Sequence, residues 1–180
     1  MNILDVAENS VAAHARLVRI ALAIDPAQGR LTLCIADDGT GMDAEMAARV
    51  TDPFCTSRTS RKVGLGLPFL KMAAELTGGE MQLQSAPGKG TTVTAWFTLG
   101  HIDLPPLGDI GGTVATLIQC SPHIDFVFTL TAGPDAFVAD TREIRQLLGD
   151  VSLAEPQVAL WLREYLAENT QELLKRSNAV

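Results

Sequence analysis

"DDGTGM", residues 37–42, directly follows the apolar run "LTLCIA" and sets two carboxylates and two glycines in six positions. A plain turn after a strand uses these residues, since Asp and Gly are common turn formers. A ligand-reading loop uses them differently: one carboxylate accepts a hydrogen bond from the ligand, and the glycines let the backbone approach it. The surrounding chain decides between the two. Upstream, "LVRIALAID" and "GRLTLCIAD" alternate as two strands joined across "PAQGR". Downstream, "DAEMAARVTDPF" reads as a short helix with Asp43 as its N-cap and Pro53 just past its end.

Further out, residues 3–16 place Ile3, Val6, Ala7, Ser10, Val11 and His14 on one helical face. Residues 55–66, "CTSRTSRKVGLG", lack hydrophobic periodicity and read as a mobile loop. "LPFLKMAAELTGG" is a helix stopped by Gly78 and Gly79, and "EMQLQSAPGKGTTVTAWFTL" is a strand, a turn and a strand. Helices segregated from antiparallel hairpins predict an α+β fold, a two-layer α/β sandwich. A domain of residues 1–100 is expected, followed by a small α/β extension over 101–180. In that extension "IGGTVATLIQC" favours a helix over a strand, "IDFVFTLTAGPDAFVAD" a hairpin, and "TREIRQLLG" a short helix capped by Asp140. The last helix starts at Pro156 and carries Val158, Trp161, Leu162, Tyr165 and Leu166 on one stripe, to pack on the first domain or to face a partner.

Composition narrows the function classes. At 180 residues with 47 % hydrophobic and 19 % charged content, the chain is that of a globular protein with a real core. No apolar run is long enough for a membrane span, and the N-terminus lacks a signal peptide's basic start, so the expected location is the cytoplasm. A net charge of −7 argues against nucleic acid as a partner. Three widely spaced cysteines form no disulfide or zinc pattern; all three read as reduced thiols, with Cys34 in the strand core.

Four segments bear chemistry. In "DVAENSVAA", Asp5 and Asn9 are four apart on one helical face, where Asn offers a hard oxygen to Mg²⁺ and Asp a base. In "DDGTGM", a strand-end carboxylate suits an exocyclic amine, the feature that separates adenine from guanine. In "RTSRKVGLGLP", glycines before a helix leave its first N–H groups to an anion, with Arg58, Arg61 and Lys62 beside them. In "GKGTTV", Thr91 leads into a strand beneath the same pocket.

Together these segments resemble the four boxes of the GHKL ATP-binding fold, shared by DNA gyrase B subunits, ninety-kilodalton heat-shock chaperones, histidine kinases and MutL proteins. "DPFCTSR" is similar to the phenylalanine-containing segment of histidine kinases, and the resemblance covers residues 3–99. It implies ATP and Mg²⁺ as cofactors. By position, Asn9 is the implied magnesium ligand and Asp37 the implied acceptor for the adenine amino group. Gly39, Gly41 and Met42 of the second box, Gly64, Leu65, Gly66 and Leu67 of the third, and Thr91 of the fourth complete the implied nucleotide site. Arg58 and Lys62 stand in the implied lid over the phosphates, where Lys62 either meets a phosphate or points to solvent. Asp38 is left as a turn residue.

Many hydrolysing relatives carry Glu where this chain has Asp5. A catalytic base, a helix cap and an outer-sphere magnesium partner are therefore all open to it. A kinase of this type needs a phosphoacceptor histidine. The chain opens at the N box and His14 lies on that helix, so the acceptor is expected on another protein, in trans. The resemblance thus implies a kinase or a nucleotide-gated regulator of a protein partner. The alternatives are a hydrolysing ATPase that forms a homodimer on ATP, as MutL does, and a non-catalytic nucleotide-sensing module.

Overall fold

Period-two alternation sets the sheet. The computed structural model describes residues 3–51 and 65–176. Strands β1 (Leu17–Asp25), β2 (Arg30–Asp37), β3 (Glu80–Ala86), β4 (Gly90–Thr98), β5 (Asp125–Ala132) and β6 (Asp135–Asp140) form one sheet in the order β3-β4-β2-β1-β5-β6. The β1–β5 pair is parallel and the other pairs are antiparallel. One face buries Val18, Ile20, Leu22 and Ile24 from β1, which lie beside Phe126, Phe128, Leu130 and Ala132 of β5. The other face carries small and polar residues such as Ala21, Thr32 and Thr94, which stay partly exposed.

Helices α1 (Ile3–Ala12), α2 (Ala44–Arg49), α3 (Gly66–Leu76), α4 (Ile110–Cys120), α5 (Thr141–Leu148) and α6 (Pro156–Arg176) complete the α+β fold. The buried residues Ile3, Val6 and Ala7 of α1, Leu67, Leu70 and Ala74 of α3, and Val114, Leu117 and Ile118 of α4 join the buried sheet face in one core. Helix α6 adds Leu162 and Leu166, and it crosses α4 where Gly111 meets the backbone of Leu166 and Ala167. Fully buried Phe97, Phe126 and Phe128 each contribute about 1.5–3 kcal/mol to such a core. Phe128, Phe137, Tyr165 and Trp161 continue it as a chain of aromatic contacts that ends on Trp161, which is 45 % exposed and stacked on Tyr165. The stripe of α6 is thus buried at Val158, Leu162 and Leu166 and open at Trp161.

Local readings of the sequence hold where side chains announce them. Asp43 caps α2 by accepting from the Met46 N–H, and Asp140 caps α5 by accepting from the Arg142 N–H while pairing with its guanidinium. That guanidinium holds the Asp140 carboxyl below its usual range despite the opposing effect of burial. "IGGTVATLIQC" is helical, with Asp109 accepting from the Gly112 N–H at its start.

Three readings are corrected. Helix α1 stops at Ala12, because the Ala13 and Ala15 N–H groups close the end on the Asn9 and Ser10 carbonyls. His14 therefore sits in the following turn, exposed and at φ 56°, not on the helix. Cys34 lies on β2 but on the sheet's partly exposed face, since Leu33 and Ile35 take the core positions on either side; it accepts from the Thr94 hydroxyl at 3.6 Å. Helix α2 is shorter than its sequence pattern, with Val50 as its C-cap. Pro53, Cys55, Thr56 and the expected loop around them, Arg58, Arg61, Lys62 and Gly64 included, lie outside the described residues.

Candidate active site

The end of β2 brings Asp37 out of the sheet between the C-terminal half of α1 and the start of β4. It enters a cavity of about 290 Å³. Val6, Ile35, Leu67 and Val93 give this cavity apolar walls, and Met42, Met46 and Val50 line it from the loop and α2. Its polar groups are few: Asn9, Ser10, Asp37, Thr40 and Thr91. Apolar walls with a short convergent polar edge suit a flat heterocycle that needs orienting.

Asp37 is half-buried, and its hydrogen bonds can be counted. Oδ1 accepts from the Gly39 N–H at 2.9 Å and the Thr91 N–H at 3.2 Å. Oδ2 accepts from the Ser10 hydroxyl at 2.8 Å. A carboxylate oxygen takes about two donors, so Oδ1 is filled and Oδ2 keeps one lone pair. Asp37 is thus an anchored acceptor with one vacancy.

Thr91 is an acceptor for a related reason. The Ser85 hydroxyl donates to the Gly90 carbonyl at 3.0 Å, which uses its single hydrogen, and it accepts from the Met42 N–H at 2.8 Å. Its 3.0 Å contact with the Thr91 hydroxyl then has Thr91 as the donor. Thr91 keeps only lone pairs for other partners. Ser85 also ties the "DDGTGM" loop to the β3–β4 turn, and the Gly88 N–H adds a bond to the Thr40 carbonyl at 2.7 Å.

The two glycines of that loop have steric reasons of their own. Gly41 has φ 65°, and a Cβ there would lie 2.0 Å from the Ala86 carbonyl oxygen. At Gly39 a Cβ would lie 2.7 Å from the Ala13 carbonyl oxygen, which accepts from the Thr40 N–H. Asp38 also has a defined place. Its Oδ1 accepts from the Arg16 and Leu17 N–H groups and so pins the turn between α1 and β1. Burial pushes its carboxyl upward, but the Leu17 and Arg16 N–H groups and the Arg16 charge outweigh this and hold it below 3.8.

Asn9 lines the cavity, and its Nδ2 is buried with no partner among the described residues. Gly41, Met42, Leu67 and Thr91 line it as well. Gly66 is buried at the start of α3, and Leu65, which caps that helix without a side-chain bond, is exposed; neither lines the cavity. Asp5 is exposed one turn before Asn9, also outside the lining, and its Cβ would be 2.8 Å from a Cβ on Gly66. Ser10 and Ser85 were not legible as site residues. A small hydroxyl on a helix face or in a strand carries no local mark of the partner it will meet.

The histidine kinase-, DNA gyrase B- and HSP90-like ATPase family model matches residues 2–101, more than half of the chain. The chain belongs to this family. Among curated relatives, the sensor protein kinase FleS of Pseudomonas aeruginosa is 36 % identical over 108 residues, 60 % of this chain and 26 % of that protein. The sensor histidine kinase ZraS of Klebsiella oxytoca is 33 % identical over 90 residues, 49 % of this chain and 19 % of the kinase. The non-motile and phage-resistance protein of Caulobacter vibrioides is 32 % identical over 91 residues, 48 % of this chain and 11 % of that protein. The chain thus spans 11–26 % of these relatives' own length. No helix among the described residues is long and apolar enough to cross a membrane.

Proposed function

We propose that the protein binds Mg·ATP in this cavity and passes the γ-phosphoryl group to a protein partner in trans. The observation that carries the reading is the anchored vacancy on Asp37 Oδ2, at the polar edge of an apolar slot. The 6-amino group of adenine donates to that lone pair while its ring lies between the apolar walls. Thr91, an acceptor, takes a hydrogen from the amine or from a water beside it.

The phosphates extend toward Asn9 and α3. The buried unpartnered amide of Asn9 fits a magnesium ion, because a half-turn of the amide presents its oxygen where the nitrogen now stands. The ion would neutralise charge on the triphosphate. The first N–H groups of α3, uncapped by any side chain of Leu65, offer an anion site along the helix dipole. Asp5 stands against that helix end at Gly66, which favours it as the base that receives the acceptor's proton. Arg58, Lys62 and Gly64, which lie outside the described residues, keep in this reading the phosphate-binding roles that the family resemblance implies. Residues 101–180 stand in this reading as the extension whose α6 meets the partner through Trp161.

The test is incubation with γ-labelled ATP, Mg²⁺ and cell lysate, alongside phosphate release by the protein alone over a concentration series. Label on a lysate protein, lost with Asn9→Ala, supports transfer in trans. Phosphate release by the protein alone that rises faster than its concentration overturns it in favour of a homodimeric ATPase.

A further inference from the structure

We infer that Ser10 is a positioning residue that makes the cavity select a 6-aminopurine over a 6-oxopurine. The inference rests on the nucleotide reading above and deepens it. Ser10 is only 3 % exposed and lies on α1 next to Asn9. Its hydroxyl bonds a residue 27 positions away, Asp37, whose carboxylate ends β2. Without that bond the carboxylate is held through Oδ1 alone, by the Gly39 and Thr91 N–H groups. The carboxylate could then turn about the Cβ–Cγ bond against only the two bonds on Oδ1, carrying Oδ2, the oxygen with the vacancy, with it. Ser10 fixes its direction.

The hydroxyl also sets the sign of the polar edge. Its one hydrogen is spent on Asp37, so Ser10 offers only lone pairs to anything else. Thr91 is in the same position because its hydrogen goes to Ser85. Asp37, Ser10 and Thr91 therefore present acceptors only. An exocyclic amine finds a partner there and an exocyclic carbonyl meets lone pairs. Within this trio, a carbonyl ligand at Asp37 could recruit the Ser10 hydrogen only by pulling it off Asp37, which releases the anchor that the site depends on.

The experiment compares ATP with inosine triphosphate, which replaces the 6-amino group by a carbonyl and leaves the 2-position unchanged. Affinities for both are measured by titration calorimetry on the native protein, Ser10→Ala and Ser10→Cys, with nucleotide-free melting recorded in parallel. The native protein is expected to prefer ATP. In Ser10→Ala, ATP affinity falls about tenfold, the scale of one hydrogen bond to a charged acceptor, and inosine triphosphate affinity holds or rises, so the preference collapses. Cysteine keeps the size of serine but donates weakly, so Ser10→Cys should follow Ser10→Ala if the bond matters.

An unchanged ATP preference in Ser10→Ala overturns the inference. So does an equal loss for both nucleotides, or a Ser10→Cys protein that matches the native one; each would make Ser10 packing alone. A native protein that binds neither nucleotide, or both equally, overturns the nucleotide reading of Asp37 and this inference with it.

Discussion

Replacing Asp37 by asparagine changes one atom and should reverse the chemistry of the site. The structure dictates which way the new amide faces. Two N–H groups, from Gly39 and Thr91, converge on the Oδ1 position, so the asparagine must keep its oxygen there and place its NH₂ at the Oδ2 position. There it can donate to Ser10, whose hydroxyl turns from donor to acceptor. All three existing bonds survive in some form, so the fold should lose no more than about 1 kcal/mol, a melting shift of roughly 2–4 °C for a chain of this size. Toward the ligand the vacancy has become a donor. ATP loses a bond to a charged acceptor, about 1.5–3 kcal/mol, and its amine now opposes an amine, about 1–3 kcal/mol more. The sum of about 2.5–6 kcal/mol corresponds to roughly two to four orders of magnitude in affinity. Titration calorimetry of ATP into the native protein and Asp37→Asn measures it, and melting curves without nucleotide confirm the fold. A variant that melts normally and binds ATP within threefold of the native protein would refute the assignment of Asp37.

Other expectations follow from single contacts. Gly41→Ala combines a φ of 65° with a Cβ 2.0 Å from the Ala86 carbonyl oxygen, so chemical denaturation should show a loss of roughly 2–4 kcal/mol. Gly111→Ala would press a methyl group 2.7 Å from the backbone of Leu166 and Ala167; separating α4 from α6 should cost about 1–3 kcal/mol in the same assay, with Trp161 fluorescence shifting toward that of exposed indole. Asp38 supplies a pH dependence. Its folded-state carboxyl lies below 3.8, so its stabilising effect is fully present above the unfolded value and is lost as pH falls through the lower folded value. Asp38→Asn can still accept from the Arg16 and Leu17 N–H groups but carries no charge. The stability gap between native protein and variant, measured by urea unfolding, should therefore be widest near neutral pH and close below the native carboxyl's titration.

Features written in one short stretch were the ones the sequence disclosed. The Asp43 and Asp140 caps, the β5–β6 hairpin across Ala132–Asp135 and the "DDGTGM" loop each depend on neighbours within a few residues. The parallel pairing of β1 with β5 was not legible, because Leu17 meets Asp125 across more than a hundred residues and an apolar alternation does not name its partner. Cys34 was misplaced for a related reason. A cysteine between Leu33 and Ile35 reads as core until the register shows those neighbours taking the buried face. His14 fits the helical period of α1, but the helix end closes two residues earlier. In the site, carboxylate and glycine positions were visible through their chemistry. The hydroxyls of Ser10 and Ser85 were not, since their role is fixed by partners on other elements.

The central claim is that an adenine nucleotide occupies the cavity between α1, the "DDGTGM" loop and β4. The most direct measurement is a map of amide resonance shifts as Mg·ATP is titrated into isotopically labelled protein. The account predicts saturable shifts concentrated on Asn9, Ser10, Gly39, Gly41, Met42 and Thr91, with β6 and α5 unmoved. Saturable shifts centred elsewhere, or none at millimolar ATP, would contradict it.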